Sequence, residues 1–114
     1  MASTRLAVQS SDWGDDTDAS LFISLNQGNK SALAVLYDRY SRLVYTIAFR
    51  ILNSGPEAED LTQEIFLNLW QKPTYDPNRS SLSRFLSTVT RNRAIDRVRA
   101  RSNRRRILKK LTPQ

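Results

Sequence analysis

The chain has 114 residues, with 18 Lys or Arg against 11 Asp or Glu and a formal net charge of +7. It contains neither cysteine nor histidine, which removes disulfides, the commonest zinc ligands, the usual imidazole base and every Ser-His or Cys-His pair. One small domain fits this length, and no apolar run reaches the roughly 20 residues that span a bilayer, so a cytoplasmic protein without membrane insertion is expected.

The first residues, MASTRLAVQSSDWGDD, are polar and lack both sustained periodicity and the apolar core of a secretion signal. They read as a flexible leader over residues 1–17. A short helix over Ala19 to Gln27 follows, capped by Thr17 or Asp18, turning Leu21, Phe22 and Leu25 inward and stopping at Gly28. Asn29 or Ser31 caps a long helix to about Asn53. Within it Leu33, Leu36, Tyr40, Leu43, Val44, Ile47, Ile51 and Leu52 recur at three- and four-residue steps. The segment Asn53-Ser54-Gly55-Pro56 ends that helix, with Gly suited to the left-handed position and Pro to the start of the next one.

The third helix is expected from Pro56 to about Gln71, with Glu57, Glu59 and Asp60 near its N-terminus, where the helix dipole favours acids. At about 100° per residue, Ala58, Leu61, Ile65 and Leu69 form its buried stripe, flanked by Phe66 and Asn68. Asp60, Gln63, Glu64, Leu67 and Trp70 gather on the opposite side. An apolar strip framed by acids has the composition of a protein-binding patch; the alternative folds Trp70 under the following loop as core.

Pro73 and Pro77 mark a loop, and Ser80 or Ser81 caps the last helix, which turns Leu82, Phe85, Leu86 and Val89 inward. No Gly or Pro interrupts that helix before Pro113. Residues 91–110 hold ten Lys or Arg against one acid, Asp96, while the rest of the chain holds eight basic and ten acidic residues. The positive charge is therefore local. Nucleic acid is the first polyanion such an end suits, ahead of an anionic membrane surface, and a solvated tail is the alternative. Asn92 and Asp96 continue the inward stripe as neighbours one turn apart, able to bond back to the bundle or to face a ligand. The fold class expected is all-α, a compact bundle of three main helices and one short N-terminal helix. Residues 18–106 form the domain, and residues 107–114 a basic tail or the start of a linker.

The stretch AEDLTQEIFLNLW, followed by TYDPNRSSLSRFLSTVTRNRAIDRVR, resembles the second conserved region of bacterial sigma factors of the extracytoplasmic-function group. The preceding ALAVLYDRYSRLVYTIAFRIL is similar to that group's first long helix, so the resemblance covers roughly residues 18–106. It implies a transcription-initiation subunit that binds core RNA polymerase through the clamp helices of its β′ subunit. The matching positions are Asp60, Gln63, Glu64 and Trp70, with Leu67 on the same face by the helical count. It also implies recognition and opening of the minus-ten promoter element by the last helix and the loop before it, with a flipped base of the non-template single strand held by the loop. Tyr75, Asp76, Asn78, Arg79 and Ser80 are the loop candidates, although Tyr75 also fits as a hinge residue packed on the bundle.

On the last helix Asn92, which can donate and accept, and Asp96, which accepts while ionised, are candidate base readers. Arg91, Arg93, Arg97, Arg99 and Arg101 suit phosphates, whose contacts position without specifying sequence. An anti-sigma factor is a further partner that the family implies. Phe85 stands where the family usually has Trp, and the sequence ends without a domain to read the minus-thirty-five element, which suggests a fragment or a stand-alone form. Rival readings are a decoy domain that binds polymerase or a regulator, and a basic-helix binder of duplex DNA. No enzyme and no cofactor are expected, because Asp60 and Glu64 alone are too few ligands for a metal.

Overall fold

The structure is a computed structural model that describes residues 17–112, so the expected leader lies outside the described residues except for Thr17, as do residues 113 and 114. Among the described residues four helices follow one another: α1 over Asp18–Asn26, α2 over Lys30–Leu52, α3 over Gly55–Gln71 and α4 over Leu82–Leu111. Every described element is helical, and the fold is the all-α bundle of three long helices and one short one.

Each helix begins with a side-chain cap. Thr17 accepts from the Ser20 amide at 3.1 Å, Asn29 from Ser31 at 3.1 Å, Ser54 from Glu57 at 3.3 Å and Ser81 from Arg84 at 3.2 Å. Replacing such a cap by Ala typically costs about 0.5–2 kcal/mol. The α2–α3 junction differs from the expectation. Asn53, not Gly55, takes the left-handed position, at φ 55°, a conformation a short amide side chain tolerates. That frees Gly55 to open α3 one residue before Pro56.

α2 is the central helix and packs against the other three. Leu36, Val44, Ala48 and Leu52 of α2 meet Leu21 and Leu25 of α1, Leu61, Ile65 and Leu69 of α3, and Leu82 and Leu86 of α4 in one core. Burying a large aliphatic side chain contributes about 1.5–3 kcal/mol, so this cluster carries the fold. The buried stripe of α3 is wider than expected and includes Thr62 and Phe66. The reason is that α3 lies against α2 on one side and α4 on the other, and the Phe66 ring meets Tyr37 of α2 edge-on at 5.0 Å.

The inward stripe of α4 also differs. It runs through Leu82, Leu86, Thr90 and Ala94, steps of four residues that slide around the helix as it crosses its neighbours. Phe85 and Val89 are half-buried at its edge, and Asn92 and Asp96 fall on solvent. Beyond Arg101 every α4 residue is exposed, and the helix continues to Leu111, through the segment expected as a basic tail or the start of a linker. At the other end Asp18 ties α1 to α2, accepting from Arg39 at 2.8 Å and from the Tyr40 hydroxyl. Among the described residues no helix is long and apolar enough to cross a membrane.

Candidate nucleic-acid interface and the outer face of α3

Acids of α3 and arginines of α4 run in opposite directions along the seam between the two helices. Glu64 accepts from Arg93 at 2.6 Å and from Arg97 at 2.5 Å, Asp60 lies 3.1 Å from Arg97, and Glu57 accepts from Arg101 at 3.0 Å. Arg101 also reaches the Leu52 carbonyl at the end of α2, at 3.4 Å. Exposed pairs of this kind contribute about 0.2–1 kcal/mol each, and the shared Glu64 carboxylate makes them a network. Asn68 extends it, because its amide oxygen, in the orientation that satisfies both groups, accepts from Arg93 at 3.1 Å.

The five residues singled out on α3 therefore divide. Asp60 and Glu64 face α4 and its arginines. Gln63 and Leu67 face the other way, into an open, mostly apolar groove of about 440 Å³ between α2 and α3 that is also lined by Leu33, Tyr37 and Phe66. Leu67 is 46% exposed there. Trp70 is half-buried against the core at the end of α3, with the Lys30 ammonium 5.2 Å from its ring centroid. It belongs partly to each of the two alternatives, surface and core.

The loop between α3 and α4 is organised from inside. Tyr75 is only 7% exposed, its ring lying 5.0 Å from Phe22 and 5.1 Å from Phe85, and its hydroxyl donates to the Ser80 carbonyl at 3.0 Å. Burial, with Asp18 and Asp76 nearby, raises the Tyr75 pKa above the usual phenol value. Its place is the packed alternative. Asp76 caps the turn by accepting from the Asn78 amide at 2.9 Å, and Asp76, Asn78 and Arg79 are exposed while Ser80 is half-exposed. Beneath the start of the loop a cavity of about 300 Å³ opens between α3 and α4, apolar at Ile65, Phe85 and Val89 and polar at Asn68, Lys72, Thr74 and Arg93.

On α4, Asn92, Asp96 and Arg99 are exposed and, among the described residues, make no side-chain hydrogen bond or ion pair. Asn92 and Asp96 are each turned about 100° from the adjacent seam arginine. The residues proposed to read bases are thus free, whereas three of those proposed for phosphates, Arg93, Arg97 and Arg101, are held by acids of α3. Among the described residues no three carboxylates come together as a metal site.

Comparison with known proteins now decides the family. The Sigma-70 region 2 family matches residues 36–104. The chain belongs to that family. Similar proteins include an ECF RNA polymerase sigma factor SigK of Mycobacterium ulcerans, 37% identical over 87 residues, covering 75% of this chain and 46% of the relative. The SigK of Mycobacterium sp. strain KMS is 40% identical over 70 residues, 60% of this chain and 36% of its own. That of Mycobacterium tuberculosis strain H37Ra is 35% identical over 72 residues, 62% and 38%. This region 2 domain thus spans less than half the length of the curated relatives it matches. No solved structure matches it.

Several functional candidates were legible only in part. The seam pairs Glu57 with Arg101 and Glu64 with Arg93 and Arg97, and its signal was in the sequence, as acids spaced by three and four on α3 and arginines spaced by four on α4. The cavity residues Lys72 and Thr74 carried no such pattern, because they lie on irregular backbone.

Proposed function

We propose that this region 2 domain serves transcription initiation in the cytoplasm by holding core RNA polymerase with one face and the minus-ten promoter element with another. The observation that carries the reading is the separation of two exposed surfaces that share no residue: the apolar α2–α3 groove around Leu67 and the polar strip Asn92, Asp96 and Arg99 on α4. The groove suits a helical partner, since it offers Leu33, Tyr37, Phe66 and Leu67 along two helices, and a central apolar anchor with a polar rim is how such contacts gain affinity. The β′ clamp helices are the occupant the family implies. An anti-sigma factor covering the same groove would exclude polymerase.

On the other face Asn92 and Asp96 can meet base edges while Arg99 meets phosphate. Because Tyr75 is committed to the core, stacking of an unpaired base falls to the cavity between α3 and α4. There Phe85 and Val89 supply the apolar wall, and Asn68 and Thr74 the groups that read a base edge.

The test is binding of the domain to core polymerase and to forked minus-ten DNA, with duplex as comparison. Leu67→Glu should weaken polymerase binding at least tenfold while leaving the fold intact. Asn92→Ala should reduce the preference for the forked DNA. Equal affinity for duplex and fork, together with polymerase binding unchanged in Leu67→Glu, would favour a generic basic-helix DNA binder and overturn the reading.

A further inference from the structure

Glu64 engages both Arg93 and Arg97, and these two arginines sit one turn apart on the helix that carries the proposed base readers. With Asp60 at 3.1 Å from Arg97 and Asn68 beside Arg93, the cations are occupied by the domain's own acids and amide. A guanidinium so engaged offers fewer N–H groups to phosphate, and its attraction for a polyanion is offset by the adjacent carboxylate. The pairs are also exposed enough to exchange partners: Glu64 is 38% and Asp60 72% exposed, and surface pairs are weakly held.

We propose that the α3–α4 seam is an ion-pair latch that holds Arg93 and Arg97 away from DNA until a basic partner takes the carboxylates of Glu64 and Asp60. The proposal rests on the reading of α3 as the polymerase side and α4 as the DNA side. In the latched state DNA meets the strip of Asn92, Asp96 and Arg99 and exposed arginines outside the seam such as Arg91, without Arg93 and Arg97. When cations of the partner face Glu64 and Asp60, the two arginines turn to phosphate, and the domain gains contacts without any change of fold. Binding on one face then strengthens binding on the other, and by linkage the effect is reciprocal. The coupling element is local and discrete, the exchange of one carboxylate's partners.

The test uses the chain as it stands, with forked minus-ten DNA across a range of salt concentrations. Glu64→Gln opens the latch while preserving shape, and Glu59→Gln removes the same charge from the same helix at an exposed position outside the network. Thermal denaturation of each variant establishes that the fold is retained. Glu64→Gln should bind the fork several-fold more tightly than Glu59→Gln. Its log–log salt slope should be steeper by about 1.4, the value for two further phosphate contacts on a single strand. A second readout does not depend on net charge. The pair Arg93→Gln and Arg97→Gln should cost little affinity in the parent but much more in the Glu64→Gln background. Equal affinity and slope for the two Gln variants, or the same arginine cost in both backgrounds, overturns the latch and leaves the two-faced reading standing. Failure of every variant to bind the fork overturns that reading, and the latch with it.

Discussion

The Tyr75 hydroxyl donates to the Ser80 carbonyl at 3.0 Å while its ring is gripped between Phe22 and Phe85, so one side chain closes the α3–α4 loop and seats it on α1 and α4. The loop's exposed groups, Asp76, Asn78 and Arg79, are positioned by that internal anchor. Tyr75→Ala should destabilise the domain by about 3–5 kcal/mol, as truncation of a large buried aromatic does. Tyr75→Phe keeps the ring and should cost about 0.5–1.5 kcal/mol for the lost hydrogen bond. Urea unfolding midpoints measure both. A midpoint for Tyr75→Ala equal to the parent's would show that the ring is not part of the core.

Trp70 and Leu67 occupy neighbouring turns of α3 but should respond differently. Trp70 packs on the core and carries Lys30 over its ring, a contact worth about 0.5–1 kcal/mol at exposed sites. Trp70→Ala should therefore lower stability by roughly 1–3 kcal/mol in addition to any loss of partner binding. Leu67→Ala at the open groove should change stability by no more than about 0.5 kcal/mol. Parallel thermal scans and polymerase-binding measurements separate the two effects. A Trp70→Ala variant as stable as the parent would assign that ring wholly to the partner surface.

Thr90 is fully buried in the inward stripe of α4, and among the described residues its hydroxyl has no hydrogen-bond partner. A buried hydroxyl without a partner retains its desolvation cost, about 1–3 kcal/mol. Thr90→Val keeps the branched shape and removes the orphaned oxygen. It should stabilise the domain by about 1 kcal/mol, which for a chain of this size raises the Tm by about 4–8 °C. A lower Tm would mean that the hydroxyl has a partner in solution, for example a bound water.

Tyr40 joins α2 to α1 through Asp18, and burial, followed by the hydrogen bond to Asp18, raises its pKa from 10.0 to about 12. A folded pKa above the unfolded one means that the folded protein binds the proton more tightly. The stabilisation is therefore complete below pH 10 and is lost as pH rises from 10 through about 12. Unfolding free energy measured across that window should fall in the parent. Tyr40→Phe, with no proton to lose, should remove the Tyr40 contribution to that fall. An identical alkaline profile in both proteins would remove Tyr40 from the account.

Legibility in the sequence followed the physical origin of each feature. Helices with strong apolar periodicity were legible nearly to the residue, because Ser54, Ser81, Pro56 and Gly28 punctuate them. The alternatives between Thr17 and Asp18, Asn29 and Ser31, and Ser80 and Ser81 needed backbone geometry to resolve. The stripe of α4 misled because Phe85 and Val89 are larger than Thr90 and Ala94. Hydrophobicity alone pointed to the bigger pair, whereas the smaller pair lets α4 approach closely and is the one buried. On α3 the periodicity separated core from surface but could not divide the surface between Asp60 and Glu64, which face α4, and Gln63 and Leu67, which face α2. That division depends on how three helices are arranged in space, which no single-helix pattern contains.

Asn92, Asp96 and Arg99 give the sharpest separation of stability from recognition. All three are exposed and outside the hydrogen-bond and ion-pair networks of the described residues, so Ala at any of them should change unfolding free energy by no more than about 0.5 kcal/mol. Their effects on DNA should differ in kind. Asn92→Ala and Asp96→Ala remove the groups proposed to read base edges and should reduce discrimination between matched and mismatched minus-ten sequences by about 1–3 kcal/mol each. Arg99→Ala should weaken all sequences alike and make the log–log salt slope shallower by about 0.7, one phosphate contact on a single strand. Competition binding with single-base substitutions, repeated at two or more salt concentrations, reads both effects from one set of curves. Loss of discrimination in Arg99→Ala with an unchanged salt slope would exchange the roles, making the guanidinium the reader of a base edge.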